Sequence, residues 1–313
     1  MRPGSSKLDF ASIDWAAPWF APWAVRGQRW QQAALVSEAA LLDAMNADAD
    51  ESRHVTASGC RLAFVPQSAL PADSSYGRHI ARTGCVPTRH NLHDFFNGLS
   101  WFQFPQIKLT LNALGGAALD SPETGSASVR GGVRDALTHF DENAVLFASA
   151  DPALGAALRG FDWRTLFVAS RDAWATRCEV RCFGHALLEK LLTPFKACTA
   201  HAWIVDVPAA YFAWPDEARD AWLDRAVSEA LSVGELSGSR AFAPLPVLGI
   251  PGWWPANCSP SFYDDVSVFR RGRRARPDDA RIAASKVGQA VAALPVSAGK
   301  GEESPDSNGQ GDG

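Results

Sequence analysis

The chain has 313 residues, of which 47% are hydrophobic and 20% charged, the composition of a soluble globular protein. Its formal net charge of −4 provides no general attraction to nucleic acid or to acidic membranes. No stretch approaches the roughly 20 apolar residues that cross a bilayer, and residues 1–30 lack a signal-peptide pattern. We therefore expect a cytoplasmic protein without a membrane partner, whose six cysteines are reduced thiols.

The spacing of apolar residues predicts both helices and strands. Helical spacing predicts amphipathic helices over residues 31–45 and 216–231. Alternation predicts strands over residues 176–183 and 199–207, with a short helix at 185–192 between them. These elements predict an α+β fold in which helices pack on a small mixed sheet.

The chain also contains segments that are poor in regular structure. Residues 120–132 are small, polar and glycine-rich, which indicates a flexible connection. Residues 244–255 carry so many prolines and glycines that we expect an ordered loop there. We predict a single globular domain over residues 1–276, followed over residues 277–313 by a weak helix and a disordered tail.

The segment of residues 87–105 combines polar side chains with large apolar ones. Thr88 or Asn91 can cap a helix that ends near Gln103, and Pro105 then begins a second helix. A segment that is only buried or only exposed would not mix these residue types. The candidate site is therefore sought first in this segment.

On the first of these helices, His93, Asn97 and Trp101 repeat every four residues, so their side chains lie on one face. Asp94 is adjacent to this face. Lys108 lies on the second helix, and a turn at Pro105 would direct the two polar faces toward each other. These five residues are candidates for catalysis or ligand binding.

Two strands of a hairpin are predicted over residues 135–140 and 144–149. Asp141 and Glu142 would lie at its tip. Exposed tips between rigid elements commonly carry functional side chains, so both carboxylates join the candidate site.

Several familiar catalytic signatures are absent from the sequence. It has no phosphate-binding Gly-x-x-x-x-Gly-Lys-Ser/Thr loop, no Gly-x-Gly-x-x-Gly, no His-Glu-x-x-His and no Gly-x-Ser-x-Gly. The corresponding nucleotide-loop, zincin and serine-hydrolase interpretations lose their main support.

Two metal hypotheses remain open. Cys182 and His185, followed by Cys198 and His201, have a spacing that could supply four zinc ligands. The alternative is that the cysteines are small buried residues, since Cys198 and His201 would point to opposite faces of a strand.

The second hypothesis is a divalent metal ion bound by His93, Asp94 and His90. Asp141, Glu142 or the Asp264–Asp265 pair would complete the ligand set. The alternative is a structural network in which His93 and Asp94 form buried hydrogen bonds.

Other charged residues have weaker patterns. Glu189 and Lys190 beside His185 could be acid–base groups, but charged pairs on helices usually face solvent. The arginine run over residues 270–276 could contact nucleic-acid phosphates, but in an acidic protein a solubilising start of the tail explains it better. We therefore do not expect a nucleic-acid partner.

Four motifs together resemble a bacterial family known as Domain of Unknown Function 3025, over about residues 64–270. The motifs lie at Val86–Asn112, Arg134–Glu142, Phe183–Lys190 and Leu245–Arg270. The resemblance implies no activity. In the family pattern the cysteines have no place and an acidic residue often replaces His90, which implies that His93 and Asp94 are better candidates.

Our first hypothesis is a cytoplasmic metal-assisted or acid–base hydrolase that acts on a small anionic substrate. The catalytic candidates are His93, Asp94, Asp141, Glu142 and His185, with His185 as proton shuttle. The substrate-binding candidates are Arg89, Asn97, Trp101, Lys108, Arg134, Asp264 and Asp265. The alternative is a non-catalytic binding or scaffold protein whose polar motifs hold the fold. The oligomeric state is left open.

Overall fold

The computed structural model describes residues 9–120, 127–236, 238 and 241–272, with side chains described outside residues 117–131. The helices within this part are α1 (Ala24–Val36), α2 (Glu38–Ser52), α3 (Tyr76–Thr83), α4 (Leu92–Gln103), α5 (Pro105–Asp120), α6 (Ala127–Asn143), α7 (Pro152–Arg159), α8 (His185–Lys190) and α9 (Asp216–Ser232). The strands are β1 (Ala63–Pro66), β2 (Cys85–Thr88), β3 (Ala144–Ser149), β4 (Cys178–Cys182), β5 (Thr199–Asp206) and β6 (Ala243–Pro246). No helix among these residues is long and apolar enough to cross a bilayer.

A small mixed sheet lies within the helices, in the order β4-β3-β5-β6. β3 runs parallel to β5, whereas β4 and β6 are antiparallel to their neighbours. Every residue of β3 is buried, as its almost wholly apolar sequence requires for a strand covered on both faces. β1 and β2 form a separate parallel pair. The predicted α+β fold, with helices packed on a small mixed sheet, is confirmed.

Helix α4 is the central helix of the aromatic core, since ten of its twelve residues are buried. The Asn91 side chain accepts a hydrogen bond from the Asp94 amide and so provides the N-terminal cap. Gly98 allows close packing, because a Cβ atom there would lie 2.8 Å from Met45 Cε and 3.1 Å from the Trp30 ring. The helix is thereby fixed on several sides, which gives its polar residues defined positions.

The prediction of one continuous helix over residues 31–45 is wrong, because two helices cover this range. α1 ends at Val36, and Ser37 adopts an extended backbone before α2 begins. The reason is local: the Ser37 hydroxyl accepts the Ala40 amide hydrogen, which starts a new helix with its own cap.

The predicted hairpin over residues 135–149 is also wrong in its first half. Helix α6 continues to Asn143, and β3 follows at once. Ala136, Leu137 and Phe140 are buried at helical spacing, a pattern that a short window does not separate from strand alternation. Helix α6 also includes residues 127–132, so the flexible connection predicted there is wrong for these residues, while residues 121–126 lie outside the described part.

The strand–helix–strand prediction is confirmed by β4, α8 and β5, and the helix predicted over residues 216–231 is confirmed by α9. The loop predicted over residues 244–255 begins instead with strand β6. This strand lies at the edge of the sheet, where prolines are tolerated because one side of the strand needs no hydrogen-bond donors. The predicted tail and most of the arginine run lie outside the described residues.

Candidate functional site

Helices α4, α6 and α8 converge and bring His93, Asp141 and His185 together. His185 is the first residue of α8 and follows Gly184. A Cβ atom at Gly184 would lie 2.4 Å from the Glu142 carbonyl oxygen, so only glycine permits this approach to the end of α6. The contact places the His185 imidazole beside the Asp141 carboxylate.

The two histidines and an acidic residue at each end form a row of neighbouring side chains, called the histidine chain below. His93 Nδ1 lies 3.1 Å from Glu189 Oε2, and His93 Nε2 lies 3.1 Å from His185 Nε2. His185 Nδ1 lies 3.9 Å from Asp141 Oδ2. The side chains of His93 and Glu189 are 33% and 41% exposed, whereas His185 is 7% exposed. The histidine chain therefore runs from the solvent-exposed side of Glu189 and His93 to the buried imidazole of His185, which lies next to Asp141.

His185 is neutral near pH 7, because burial lowers the pKa of its imidazole from 6.5 to about 4. The Asp141 charge acts in the opposite direction but does not overcome this effect. Its Nδ1 atom is buried and has no hydrogen-bond partner in the described part of the chain. A buried, neutral imidazole with one unsatisfied nitrogen can accept or pass on a proton from a neighbouring group.

Asp141 also pairs with Lys108, whose side chain is 4% exposed. Lys108 Nζ lies 2.5 Å from Asp141 Oδ1 and 2.8 Å from Asn97 Oδ1. The Asn97 amide donates to the Tyr76 hydroxyl at 2.9 Å. Burial is the largest single influence on the pKa of Asp141 and raises it, but Lys108 and the neighbouring His185 and His93 together keep this pKa below its ordinary value. Asp141 is thus an ionised carboxylate that lies between a buried lysine and a neutral histidine.

A cavity of about 200 Å³ lies between α3, α4, α5 and α6. Its walls include Tyr76, Ile80, Trp101, Lys108, Leu111, Asn112, Arg134, Leu137, Thr138 and Asp141. Neither His93 nor His185 lines this cavity. Asp141 therefore connects the histidine chain with the cavity.

Some sequence-predicted site residues are brought together and others are not. The structure places His93, Asn97, Trp101, Lys108, Asp141 and His185 in the network or its cavity, and Arg134 at the cavity wall. The Glu142 side chain is only partly buried, and its backbone contacts Gly184. Asp264 pairs with Arg164, and Asp265 with Lys196, so both carboxylates have partners outside the network.

Asp94 and Arg89 form a separate pair at the start of α4. The Arg89 amide, Nε and Nη2 donate to the Asp94 carboxylate at 2.7, 3.0 and 2.9 Å. Asp94 is 6% exposed. Both carboxylate oxygens of Asp94 accept hydrogen bonds from Arg89. The pair therefore holds the junction of β2 and α4 in place.

Two members of the network were not among the predicted site residues. The sequence predicts a solvent-facing Glu189, although its position one turn after His185 on α8 is a usable signal for the contact with His93. Tyr76 had no local signal, because it contacts Asn97 across 21 positions of sequence. The lesson is that helical spacing identifies neighbours within a helix but not between helices.

The described residues offer no group of three His, Cys, Asp or Glu side chains placed to hold a metal ion. For the zinc hypothesis, Cys182 is buried, and burial and the neighbouring Cys198 raise the pKa of its thiol. His185 directs Nε2 to His93. In this part of the chain, small buried cysteines explain the Cys-x-x-His spacing.

Comparison with known proteins identifies the family but not the activity. Residues 62–273 match the family described as Protein of unknown function (DUF3025). No curated protein and no solved structure is detectably similar to the chain. Since the match covers more than half of the 313 residues and includes the whole network, the chain belongs to the DUF3025 family.

Proposed function

We propose that the chain is an acid–base hydrolase that acts on a small anionic substrate in the cavity beside Asp141. The observation that carries the proposal is the position of the Asp141 carboxylate, which lines the cavity and also lies 3.9 Å from the His185 imidazole. A general base needs both a place for the substrate and a route for the proton it takes.

In the proposed reaction, Asp141 takes a proton from a water molecule in the cavity. The resulting hydroxide attacks the carbonyl carbon of an ester or amide, and the ammonium group of Lys108 stabilises the negative charge on the oxygen. The bond to the leaving group then breaks, and the leaving group takes the proton from Asp141. The carboxylic acid product then loses its proton to Asp141, and His185, His93 and Glu189 pass that proton to solvent once the 3.9 Å gap between Asp141 and His185 closes in the substrate complex.

The metal-free form of the hypothesis is preferred, since no metal-ligand group occurs among the residues with described side chains. We propose the cytoplasm as the location, because all six cysteines are free thiols. Both points are open to direct measurement: elemental analysis of the purified protein tests the first, and fractionation of the cells that make it tests the second.

The second candidate function is a non-catalytic binding or scaffold protein. A specific observation favours it, because several polar residues of the family motifs form hydrogen bonds within the protein and so do not need a substrate as partner. The Asn257 amide donates to the carbonyls of Leu248 and Ile250, and the Tyr263 hydroxyl donates to that of Gly249. These residues fix the loop that follows β6, as a structural role requires. The partly exposed His93 and Glu189 have no such closed environment.

The experiment that separates these functions is a turnover screen of small esters and amides that carry an anionic group, with product detection by mass spectrometry. We expect Asp141→Asn to lower turnover at least 100-fold, as the loss of a general base does. Asp172→Asn is the matched control, because Asp172 is 85% exposed and lies outside the network. Activity should survive a chelator. Absence of turnover across the screen, or full activity of Asp141→Asn, would support the binding protein instead.

A further inference from the structure

The cavity walls carry hydrogen-bond donors that the described part of the chain does not satisfy. Trp101 contributes its ring to the wall, because its indole Nε1 has almost no accessible surface. The Tyr76 hydroxyl accepts a hydrogen bond from Asn97, which leaves its own hydrogen available. The Lys108 ammonium uses two hydrogens for Asp141 and Asn97 and retains a third. A ligand that satisfies these donors must present oxygen acceptors.

The charges of the cavity favour a ligand with one negative charge. Asp141 compensates the charge of Lys108. Arg134 lines the same cavity, is exposed, and forms no ion pair with the residues whose side chains are described. The sum over Lys108, Arg134 and Asp141 is therefore one positive charge. A monoanion balances this charge, whereas a dianion such as a phosphate monoester would be repelled by Asp141.

The remaining wall requires an apolar body. Ile80, Leu111 and Leu137 line the cavity and are at most 7% exposed, and the Trp101 ring completes this surface. The volume of about 200 Å³ is smaller than that of pockets for drug-sized molecules, which begin at roughly 300 Å³. The ligand is consequently a small molecule with one polar end and one apolar part.

Helix α6 holds the positive charge of Arg134, which would bind the ligand, apart from the proposed base Asp141. Arg134, Thr138 and Asp141 line the cavity at intervals of four and three residues, so they lie on one face of the helix. Arg134 and Asp141 are about 10 Å apart along the helix axis. A ligand that binds Arg134 through its anionic end would place its opposite end near Asp141.

From these observations we propose that the cavity binds small monocarboxylic acids with an apolar body, and that the carboxylate lies at Arg134. The proposal rests on the proposed function in that it names the substrate class of the same site. The natural substrate would carry its hydrolysable bond at the end opposite to the carboxylate, as in a half-ester of a dicarboxylic acid.

Isothermal titration calorimetry of the full-length protein tests this assignment with phenylacetate, hexanoate, phenylacetamide, acetate and inorganic phosphate. We expect 1:1 binding of phenylacetate or hexanoate, and at least tenfold weaker binding of the other three. Phenylacetamide lacks the charge, acetate lacks the apolar body, and phosphate carries too much charge near pH 8. Binding of phenylacetamide or phosphate as tightly as the two acids would overturn the proposal, as would the absence of any binding.

A conservative variant locates the carboxylate. Arg134→Gln should weaken binding of the acid about tenfold or more, since it removes a donor to a charged group. Phenylacetamide binding should change much less in Arg134→Gln. Arg164→Gln is the control, because Arg164 is 68% exposed and pairs with Asp264 instead. Equal affinity in wild type and Arg134→Gln would contradict the assignment.

The binding experiment and the turnover screen fail independently. If acids bind through Arg134 but no ester or amide is hydrolysed, the proposed ligand class stands and the proposed hydrolase activity is wrong. If neutral substrates are hydrolysed without selective binding of acids, the hydrolase activity stands and the ligand class is wrong.

Discussion

The Nε2 atoms of His93 and His185 lie 3.1 Å apart, although the two residues are 92 positions apart in the chain. Their rings are nearly perpendicular, with an interplanar angle of 82°. Glu189 contacts the outer ring and Asp141 lies beside the inner one. The two histidines thus link the partly exposed Glu189 to Asp141, which lines the cavity.

The first prediction concerns the pH dependence of stability. The folded-state pKa of His185, about 4, lies below its ordinary value of 6.5, so the unfolded state binds more protons between these two values. Its contribution to stability is complete above pH 6.5 and is lost as the pH falls toward 4. At roughly 1.4 kcal/mol per pKa unit, the loss is about 3 kcal/mol.

Urea unfolding of wild type and His185→Gln between pH 4 and 7.5 measures this difference. The variant should lack the decline that His185 causes, so the gap between the two curves should change by about 3 kcal/mol. His90→Gln is the control, because His90 is exposed and lies outside the network. Parallel curves for wild type and His185→Gln would contradict the assignment of a neutral, buried His185.

The second prediction concerns the ion pair of Lys108 and Asp141. Lys108→Met leaves the Asp141 charge and the Asn97 carbonyl without their partner. Breaking a buried ion pair costs about 3–5 kcal/mol, and because Asp141 is 31% exposed we expect a cost of about 2–3 kcal/mol. Denaturant unfolding at pH 7 measures it. Lys196→Met removes one partner of an ion pair that is about one third exposed and should cost clearly less, so an equal cost in both variants would contradict the account.

The third prediction concerns Gly184. In Gly184→Ala the new methyl group would collide with the Glu142 carbonyl, which must move the start of α8 away from α6. We expect a loss of about 1–3 kcal/mol in unfolding free energy and a lower turnover, because His185 moves with the helix. Gly132→Ala is a suitable control, since a Cβ atom there meets no other atom within 4 Å. Wild-type turnover in Gly184→Ala would show that the position of His185 is not important.

The fourth prediction separates Asp94 from the acid–base network. Asp94→Asn weakens three hydrogen bonds from Arg89 and should lower stability by about 1–3 kcal/mol. Its turnover, measured well below the unfolding temperature, should remain within about threefold of wild type. A loss of turnover as large as that of Asp141→Asn would instead assign Asp94 to the chemistry, as the sequence first suggested.

Local signals in the sequence account for much of the fold. The Asn91 cap and the proline at position 105 predicted α4 and the start of α5, since capping and proline geometry act within a few residues. Residues 135–140 were placed in a strand because a six-residue apolar pattern fits both periods, and only packing against neighbouring elements decides between them.

The candidate site was predictable only in part, for a related reason. His93, Asn97 and Trp101 stand at helical spacing on α4, so a shared face followed from the sequence alone. The contacts of Asn97 with Tyr76, and of His93 with Glu189, depend on how separate helices pack. Spacing within one helix holds no information on that packing.

The central claim is that Asp141 acts as a base on a substrate in the cavity. Its most direct test is the single-turnover rate of hydrolysis, measured with saturating wild-type protein or Asp141→Asn on the best substrate of the screen. The account predicts a rate at least 100-fold lower in the variant, with substrate affinity changed by less than about fivefold. A rate within threefold of wild type, in a variant that is folded and binds the substrate, would contradict it.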